Sequence, residues 1–175
     1  FDIDFSKSTF SKKDTDEAGS AALAIGQGEI LATPLQMALC ACAIANEGII
    51  MSPYIVQKAT NKNGMPVYEK KPQQLYNALA PEVAEKVKAL MIEAVKTGTG
   101  RNAQISGVTV AGKTGTAENE LLEKEKNKEH TWFVGFAPAD NPQIVVAVML
   151  EYSGGSGGEN CAPIARDIIQ KYLSQ

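Results

Sequence analysis

Hydrophobic residues recur with helical spacing in two stretches of the chain. The first is TPLQMALCACAIANEG at 33–48, where apolar residues leave hardly any polar face, so this helix is predicted to be buried almost all round. Thr33 is the predicted N-cap, Pro34 suits the first helical position, and Gln36 completes a capping box with Thr33. Gly48 is the predicted stop.

The second helical stretch, APEVAEKVKALMIEAVKTG at 80–98, carries a single apolar stripe. Its members follow the spacing i, i+4, i+7, i+8, i+11 and i+12, and they are Val83, Val87, Leu90, Met91, Ala94 and Val95. Pro81 opens this predicted helix and Gly98 closes it.

Strand patterns occupy most of the remaining chain. IIMSPYIVQKAT and MPVYEK flank the turn sequence NKNG, and Asn63-Gly64 between them predicts a β-hairpin. Three more strand-like runs follow, at Val108–Thr116, Thr131–Ala137 and Ile144–Tyr152. The short connections between these runs favour an antiparallel meander, because a buried crossover needs a longer segment.

The charged connection ENELLEKEKNKEH at 118–130 is predicted to be a solvated loop or short helix. A final helix is predicted over Cys161–Leu173, with a sheet-covering face formed by Ile164, Ile168, Ile169, Tyr172 and Leu173. The predicted fold class is therefore α+β, with an antiparallel sheet covered by helices.

Composition narrows the function classes. The chain has 175 residues, enough for one domain, and its 17 basic and 20 acidic residues give a net charge of −3, which does not favour nucleic-acid binding. Its longest apolar run, Met37–Ala45, is too short to span a bilayer, and the polar opening FDIDFSKSTF is unlike a signal peptide.

The three cysteines do not indicate a disulfide framework or a metal site. Their number is odd, and Cys40 and Cys42 are two residues apart, so they point to different faces of a helix. Together with Cys161 they are predicted to be small core residues. No cofactor and no metal is expected.

The segment GVTVAGKTGTAE at 107–118 matches two incompatible motifs. It fits the phosphate-binding P-loop G-x-x-x-x-G-K-[ST], and it fits the K-T-G motif of penicillin-binding proteins and serine β-lactamases. A P-loop needs an apolar strand before its first glycine and a helix starting at Lys-Thr. Here polar RNAQIS comes before Gly107, stiff valines fill the loop, and Gly115 follows Lys113-Thr114, so the K-T-G interpretation is preferred.

Around this motif the chain resembles the class B penicillin-binding proteins, the monofunctional D,D-transpeptidases of cell-wall synthesis. The resemblance is carried, in family order, by IGQGEILATPLQMA at 25–38, AIANEG at 43–48, VKTGTGRNA at 95–103, AGKTGTAE at 111–118, WFVGFAP at 132–138 and CAPIARDII at 161–169. Residues 1–24 would be a polar lead-in and 25–175 the family-like region. The resemblance implies a serine acyl-enzyme that cross-links peptidoglycan stem peptides and is intercepted by β-lactams, at the extracytoplasmic face of the bacterial membrane.

Two family motifs are missing from these residues. No serine has lysine three positions later, and no S-x-N occurs. The chain therefore looks like the C-terminal half of a transpeptidase domain, expected to be inactive alone. A carboxypeptidase or β-lactam-sensing relative of the same fold remains open, as does a role in elongation or division; TPLQMA and VKTGTG favour a transpeptidase.

The resemblance implies roles for four residues. Lys113 would project into the cleft, where it would bond a serine of the second motif and attract the substrate carboxylate. Thr114, Gly115 and Thr116 would line the substrate, and the backbone N–H of Thr116 would form one arm of the oxyanion hole. Strand alternation places Lys113 and Gly115 on one face, with Thr114 and Thr116 on the other.

Other candidates have a simpler interpretation. Ser156 lies in a G-x-S-x-G pattern, but an α/β-hydrolase triad needs a histidine after the serine, and His130 precedes it. The glycine-rich run is therefore predicted to be a flexible loop. His130 is expected to face solvent, and Trp132 to pack in the sheet rather than border the cleft.

The resemblance also has a consequence for association. In the family the sheet has five strands, and the two that are missing would pair with Ile144–Tyr152. That run would then present an open apolar edge. The chain alone is expected to associate with another copy or with a separate N-terminal half.

Overall fold

The computed structural model describes residues 6–10, 16–27, 30–118 and 129–175. These residues form four α-helices, α1 Glu17–Ala24, α2 Pro34–Ala45, α3 Pro81–Lys96 and α4 Gly157–Leu173. The strands are β1 Thr9–Phe10, β2 Ile30–Leu31, β3 Ile49–Met51, β4 Lys58–Thr60, β5 Pro66–Glu69, β6 Gln74–Asn77, β7 Ala111–Ala117, β8 His130–Ala137 and β9 Ile144–Leu150. Among these described helices, none is both long enough and apolar enough to cross a membrane.

The main sheet is the predicted antiparallel meander, in the order β7-β8-β9. In the register, Lys113 lies opposite Val134, and Val134 in turn lies opposite Ala147. The first strand begins later than predicted, at Ala111, because Gly107 turns the chain with φ near 76° and Val108 only bridges back to Ile105. The α+β class and the meander are both confirmed.

Two apolar cores cover the two faces of this sheet. The larger lies under α4, and its buried members are Val95, Ala103, Val110, Phe133, Ala137, Val146, Cys161, Ala162, Ala165 and Ile169. The smaller lies under α2 and α3, and its buried members are Ala41, Met91, Ala111, Phe136 and Ala139. The sheet is thus held between α4 on one face and the α2–α3 pair on the other.

The predicted bounds of α2 and α3 are confirmed, but the predicted burial of α2 is wrong. Thr33 caps α2 by accepting a hydrogen bond from the Gln36 N–H at 3.2 Å. The capping box is only half made, because the Thr33 N–H donates to Ser8 Oγ instead of to the Gln36 side chain. In the described structure α2 buries only Ala41 and Ala43 fully, and Cys40 is exposed.

The apolar stripe of α3 is only partly buried. Met91 and Val95 face the cores as predicted, but Leu90 is 71% exposed and Val83 is 42% exposed. Ala84, which the stripe omitted, is almost fully buried. The helix therefore sits rotated toward Ala84, because a small side chain allows closer contact than a leucine.

The terminal helix α4 begins four residues earlier than predicted and buries a different face. Its contact surface combines the small residues Cys161, Ala162 and Ala165 with Ile169, and all four are fully buried; of the predicted face, Ile169 is therefore confirmed. The predicted face is wrong at Ile164, Ile168 and Tyr172, which are all exposed. The predicted loop or short helix at 118–130 falls largely on residues 119–128, which lie outside the described residues.

The region between α2 and α3 contains two antiparallel ribbons. One is the predicted hairpin, in which β4 pairs with β5 and Lys58 lies opposite Glu69. Asn61 Oδ1 stabilises the turn of this hairpin by accepting hydrogen bonds from the backbone N–H groups of Asn63 and Met65. The other ribbon pairs β3 with β6 and was not predicted.

Candidate active site on the edge of strand β7

The K-T-G residues lie on β7, which is an edge strand of the described main sheet. Alternation along β7 places Lys113 and Gly115 on the face of Ala111, which packs with α2 and α3. Thr114 points to the opposite face, where its methyl group lies 3.8 Å from the Cβ position of Gly158 in α4. The predicted division of the two faces is therefore confirmed.

The backbone of β7 presents its polar groups to the open edge at two alternate residues. The carbonyl of Thr116 accepts a hydrogen bond from Gln27 Nε2 at 3.3 Å, and the carbonyl of Thr114 accepts one from Lys113 Nζ at 2.6 Å. Both carbonyls therefore face away from β8. Because the N–H and C=O of one strand residue project to the same side, the N–H of Thr116 also faces the open edge.

Lys113 is exposed and takes part in neither of the two salt bridges among the described residues. Its ammonium group bonds a backbone carbonyl of its own strand. Lysine is a compact charge on a flexible stem, so this group can turn toward an anionic ligand at small cost.

Thr114 is half-buried, and its hydroxyl has one partner among the residues that the structure describes. Thr99 Oγ1 lies 2.7 Å from Thr114 Oγ1. Thr99 belongs to the loop that leaves α3, and it is fifteen residues away from Thr114 along the chain. The sequence did not predict this pair, because VKTGTG indicated only a family resemblance and no contact with β7.

The start of α4 supports the K-T-G strand from behind. A Cβ atom on Gly157 would lie 2.0 Å from the Trp132 carbonyl oxygen and 2.7 Å from that of Gly115. The backbone of α4 therefore approaches the β7–β8 pair more closely than any other residue type would allow.

The glycine-rich run before α4 is more ordered than predicted. Gly157 and Gly158 are buried helical residues, so the flexible-loop prediction is wrong at those two positions. Ser156 is the N-cap of α4: its Oγ accepts from the Glu159 N–H at 3.2 Å and donates to Glu159 Oε2 at 2.9 Å. This capping role accounts for the hydroxyl without a nucleophilic function.

His130 and Trp132 have structural contacts. His130 is half-buried rather than facing solvent: its Nδ1 accepts from the Tyr152 N–H at 3.0 Å, and its ring meets the Tyr152 ring edge-on. Trp132 packs its Cβ 3.3 Å from the Cβ position of Gly115, directly across the β7–β8 pair. Trp132 is half-buried and lies on the same face as Lys113.

The cysteines are not all core residues. Cys161 is buried, where its thiol donates to the Thr131 carbonyl at 3.2 Å, whereas Cys40 is exposed. Burial, and then the neighbouring Cys40, raises the pKa of the Cys42 thiol above its usual value. Among the described residues, no group of three or more His, Cys, Asp or Glu side chains could hold a metal ion.

The P-loop alternative is wrong. Lys113 and Thr114 lie in the middle of a strand that runs to Ala117, so no helix N-terminus follows them to receive a phosphate.

Comparisons with known proteins agree with the K-T-G interpretation. The sequence model of the penicillin binding protein transpeptidase domain matches residues 1–170. The peptidoglycan D,D-transpeptidase PbpA of Mycolicibacterium smegmatis is 37% identical over 164 residues, which are 91% of this chain and 33% of that protein. The peptidoglycan D,D-transpeptidase MrdA of Haemophilus influenzae is 37% identical over 174 residues, covering 91% of this chain and 26% of that protein.

A solved structure shows the same fold. Penicillin-binding protein A from Mycobacterium tuberculosis, as its penicillin G acyl-enzyme complex, superposes with a TM-score of 0.86 at 35% identity. The match covers 96% of this chain and 38% of that chain. The present chain thus spans about a third of the length of the relatives that it matches.

Proposed function

Since this chain belongs to the penicillin-binding protein transpeptidase family, we propose that it is part of a D,D-transpeptidase that cross-links peptidoglycan stem peptides. The observation that carries this proposal is the edge of β7, where the polar backbone of Thr116 lies open beside Lys113. An extended peptide can add to such an edge as a further strand. The chain would act at the outer face of the cytoplasmic membrane, as part of a protein anchored by a segment outside these residues.

The reaction proceeds through a serine ester. The serine attacks the carbonyl carbon of the penultimate D-Ala, the terminal D-Ala leaves, and the acyl group then passes to an amine of a second stem peptide. None of the 175 residues is a serine followed by lysine three positions later. The nucleophile and the S-x-N motif therefore come from residues outside this chain, and these residues alone are inactive.

The contribution of this chain is to bind and polarise the acyl donor. The N–H of Thr116 donates to the oxygen that becomes negative in the tetrahedral intermediate, and the Thr116 carbonyl accepts an N–H of the peptide in place of Gln27. An oxyanion donor of this kind is typically worth about 10²–10³ in rate. Because the N–H is fixed in a strand, it needs no reorganisation as the charge develops.

The terminal carboxylate is held by charge and by hydroxyl groups. Lys113 approaches it by turning away from the Thr114 carbonyl, and the hydroxyls of Thr114 and Thr116 donate to it. Gly115 leaves the face of β7 next to Lys113 free of a side chain. A β-lactam carries an acyl carbonyl and a carboxylate in a similar arrangement, so it enters the same site and stays as an ester.

Penicillin labelling of the full-length protein tests this proposal. We expect one penicilloyl group per molecule, mapped by peptide mass to a serine outside the present 175 residues. Lys113→Met should lower the acylation rate by at least about tenfold through loss of the charge. An unlabelled full-length protein, or an adduct within residues 1–175, would contradict the proposal.

Two further variants isolate the N–H of Thr116. Thr116→Val keeps the N–H and removes only the hydroxyl, whereas Thr116→Pro removes both. Proline is tolerated on an edge strand when its nitrogen faces away from the sheet, so Thr116→Pro should stay folded and lose about 10² more rate than Thr116→Val. Gly115→Pro is the folding control. The nitrogen of residue 115 faces β8, so this variant loses a hydrogen bond of the sheet and its melting temperature should fall further than that of Thr116→Pro. Equal rates for Thr116→Val and Thr116→Pro would exclude the oxyanion role.

A further inference from the structure

A hydroxyl pair links the loop after α3 to the K-T-G strand. Thr99 Oγ1 and Thr114 Oγ1 are 2.7 Å apart, which is a short hydrogen bond in which either oxygen can be the donor. Thr99 is exposed and Thr114 is half-buried, so the pair lies at the boundary of the strand and the solvent. Within the part of the chain that the structure describes, Thr99 is the one hydrogen-bond partner of the Thr114 hydroxyl.

The loop that carries Thr99 is held against the start of α4. A Cβ atom on Gly158 would lie 2.2 Å from the Thr99 carbonyl oxygen, so the two backbones are in direct contact. Asn102 Nδ2 donates to the Gly158 carbonyl at 2.8 Å, and buried Gly100 packs on Val95. Thr99 is therefore placed by the fold, on the same support that backs the K-T-G strand.

The direction of the hydrogen bond decides what Thr114 can do. Each hydroxyl has one proton to donate. If Thr114 donates to Thr99, its proton is used within the protein and its oxygen can only accept from a ligand. If Thr99 donates to Thr114, the proton of Thr114 is free to point at an anion, and the two bonds strengthen each other.

We propose that Thr99 is a positioning residue: it donates its proton to Thr114, so that the Thr114 hydroxyl is held as a donor to the carboxylate of the ligand. This inference rests on the proposed function, because it concerns the carboxylate site of the same ligand. It adds a specificity role to the loop after α3. The loop favours ligands with a free carboxylate over neutral ones without touching them.

The test compares a charged with a neutral ligand in the full-length protein. Acylation rates are measured with penicillin G and with its uncharged methyl ester, for wild type, Thr99→Val and Thr99→Ser. Valine keeps the shape and removes the hydroxyl, so Thr99→Val should lose about tenfold with penicillin G and much less with the ester. Thr99→Ser keeps a donor and should restore the preference for penicillin G.

A matched control and a double variant separate positioning from other roles. Thr97→Val removes a hydroxyl from the same loop. Among the described residues this hydroxyl bonds only Glu93, at 2.7 Å from its Oε1, so the variant should leave the preference unchanged. In a Thr114→Val background, Thr99→Val should cost nothing further, because its effect passes through Thr114. Additive losses would mean that Thr99 contacts the ligand itself, and would overturn the proposal.

The remaining outcomes are equally decisive. Equal losses with both ligands, or a Thr99→Ser variant that behaves like Thr99→Val, would show a structural role only and overturn the inference. Wild-type protein that reacts with neither ligand would refute the proposed transpeptidase function instead. Wild-type protein that reacts, with Thr99→Val unchanged, would refute the inference alone.

Discussion

At the scale of single residues, the site depends on side chains that are small or absent behind the strand. Gly157 and Gly158 bring the start of α4 against the carbonyls of Trp132 and Thr99, at distances that no Cβ atom could occupy. These contacts place the helix, and the helix in turn limits how far Thr114 and Gly115 can shift. The side chain of Lys113 is exposed, whereas Gly157 and Gly158, which pack behind its strand, are buried.

This dependence predicts a functional cost for adding one methyl group. Gly157→Ala must push α4 away from β7 and β8, which should cost about 1–3 kcal/mol of unfolding free energy and also slow acylation by penicillin. Gly64→Ala is the matched control: Gly64 has φ near 80° and open space around its Cβ position. It should lose stability through backbone strain alone and keep the wild-type acylation rate, measured at a temperature where both variants are folded.

Residue-level prediction from sequence succeeded where a motif is local. Lys113, Thr114, Gly115 and Thr116 are consecutive, so a strand pattern was enough to divide their faces. Gln27 and Thr99 were missed because their partners are 89 and 15 residues away, and nothing in their immediate neighbours signals the contact. A hydrogen bond between distant segments is a property of the fold.

At the scale of secondary-structure elements, the meander was predictable and the packing face of α4 was not. The periodicity of large apolar residues pointed to Ile164, Ile168 and Tyr172, but the helix packs through Cys161, Ala162 and Ala165. A helix that lies close to a sheet needs small residues at the contact, since large ones hold the backbones apart. Counting only large hydrophobic residues therefore selects Ile169 and Leu173 correctly, but it adds three exposed residues and omits the small ones at the contact.

Two adjacent isoleucines in α4 test this rotation. Ile169 is fully buried in the larger core, and Ile168 is 44% exposed. Ile169→Ala should lower the free energy of unfolding by about 2–5 kcal/mol, because it leaves a cavity. Ile168→Ala should change it by about 0.5 kcal/mol or less. Thermal or urea unfolding of both variants in the full-length protein measures the difference; a larger loss at Ile168 would contradict the packing described here.

At the scale of the whole molecule, two apolar surfaces are less buried than their sequences predict. Strand β9 pairs only with β8 in the described sheet, although its sequence IVVAVML is apolar throughout. Helix α2 is also largely apolar, yet only Ala41 and Ala43 are fully buried. We expect both surfaces to contact further protein, either the N-terminal half of the domain or a second copy.

The expected result is that these 175 residues associate when prepared alone. An open apolar strand edge is a template for pairing with another chain, so sedimentation should show species larger than a monomer, together with strong binding of a hydrophobic dye. The full-length protein is the control, and it should bind less dye per molecule. A well-folded monomer of the 175 residues without dye binding would contradict this prediction.

The sequence by itself determined helices α2 and α3 with their bounds, the β4–β5 hairpin, the antiparallel meander and the K-T-G motif on an open strand, but not helix α1 or the β3–β6 ribbon. Each of these depends on neighbours within a few residues: a proline at a helix start, an Asn-Gly turn, or an alternation along one strand. The tertiary structure decided which faces are buried, the support of β7 by Gly157 and Gly158, and the pairing of Thr99 with Thr114. Those features depend on how closely separate segments approach, and that distance is set by the packing of the whole core.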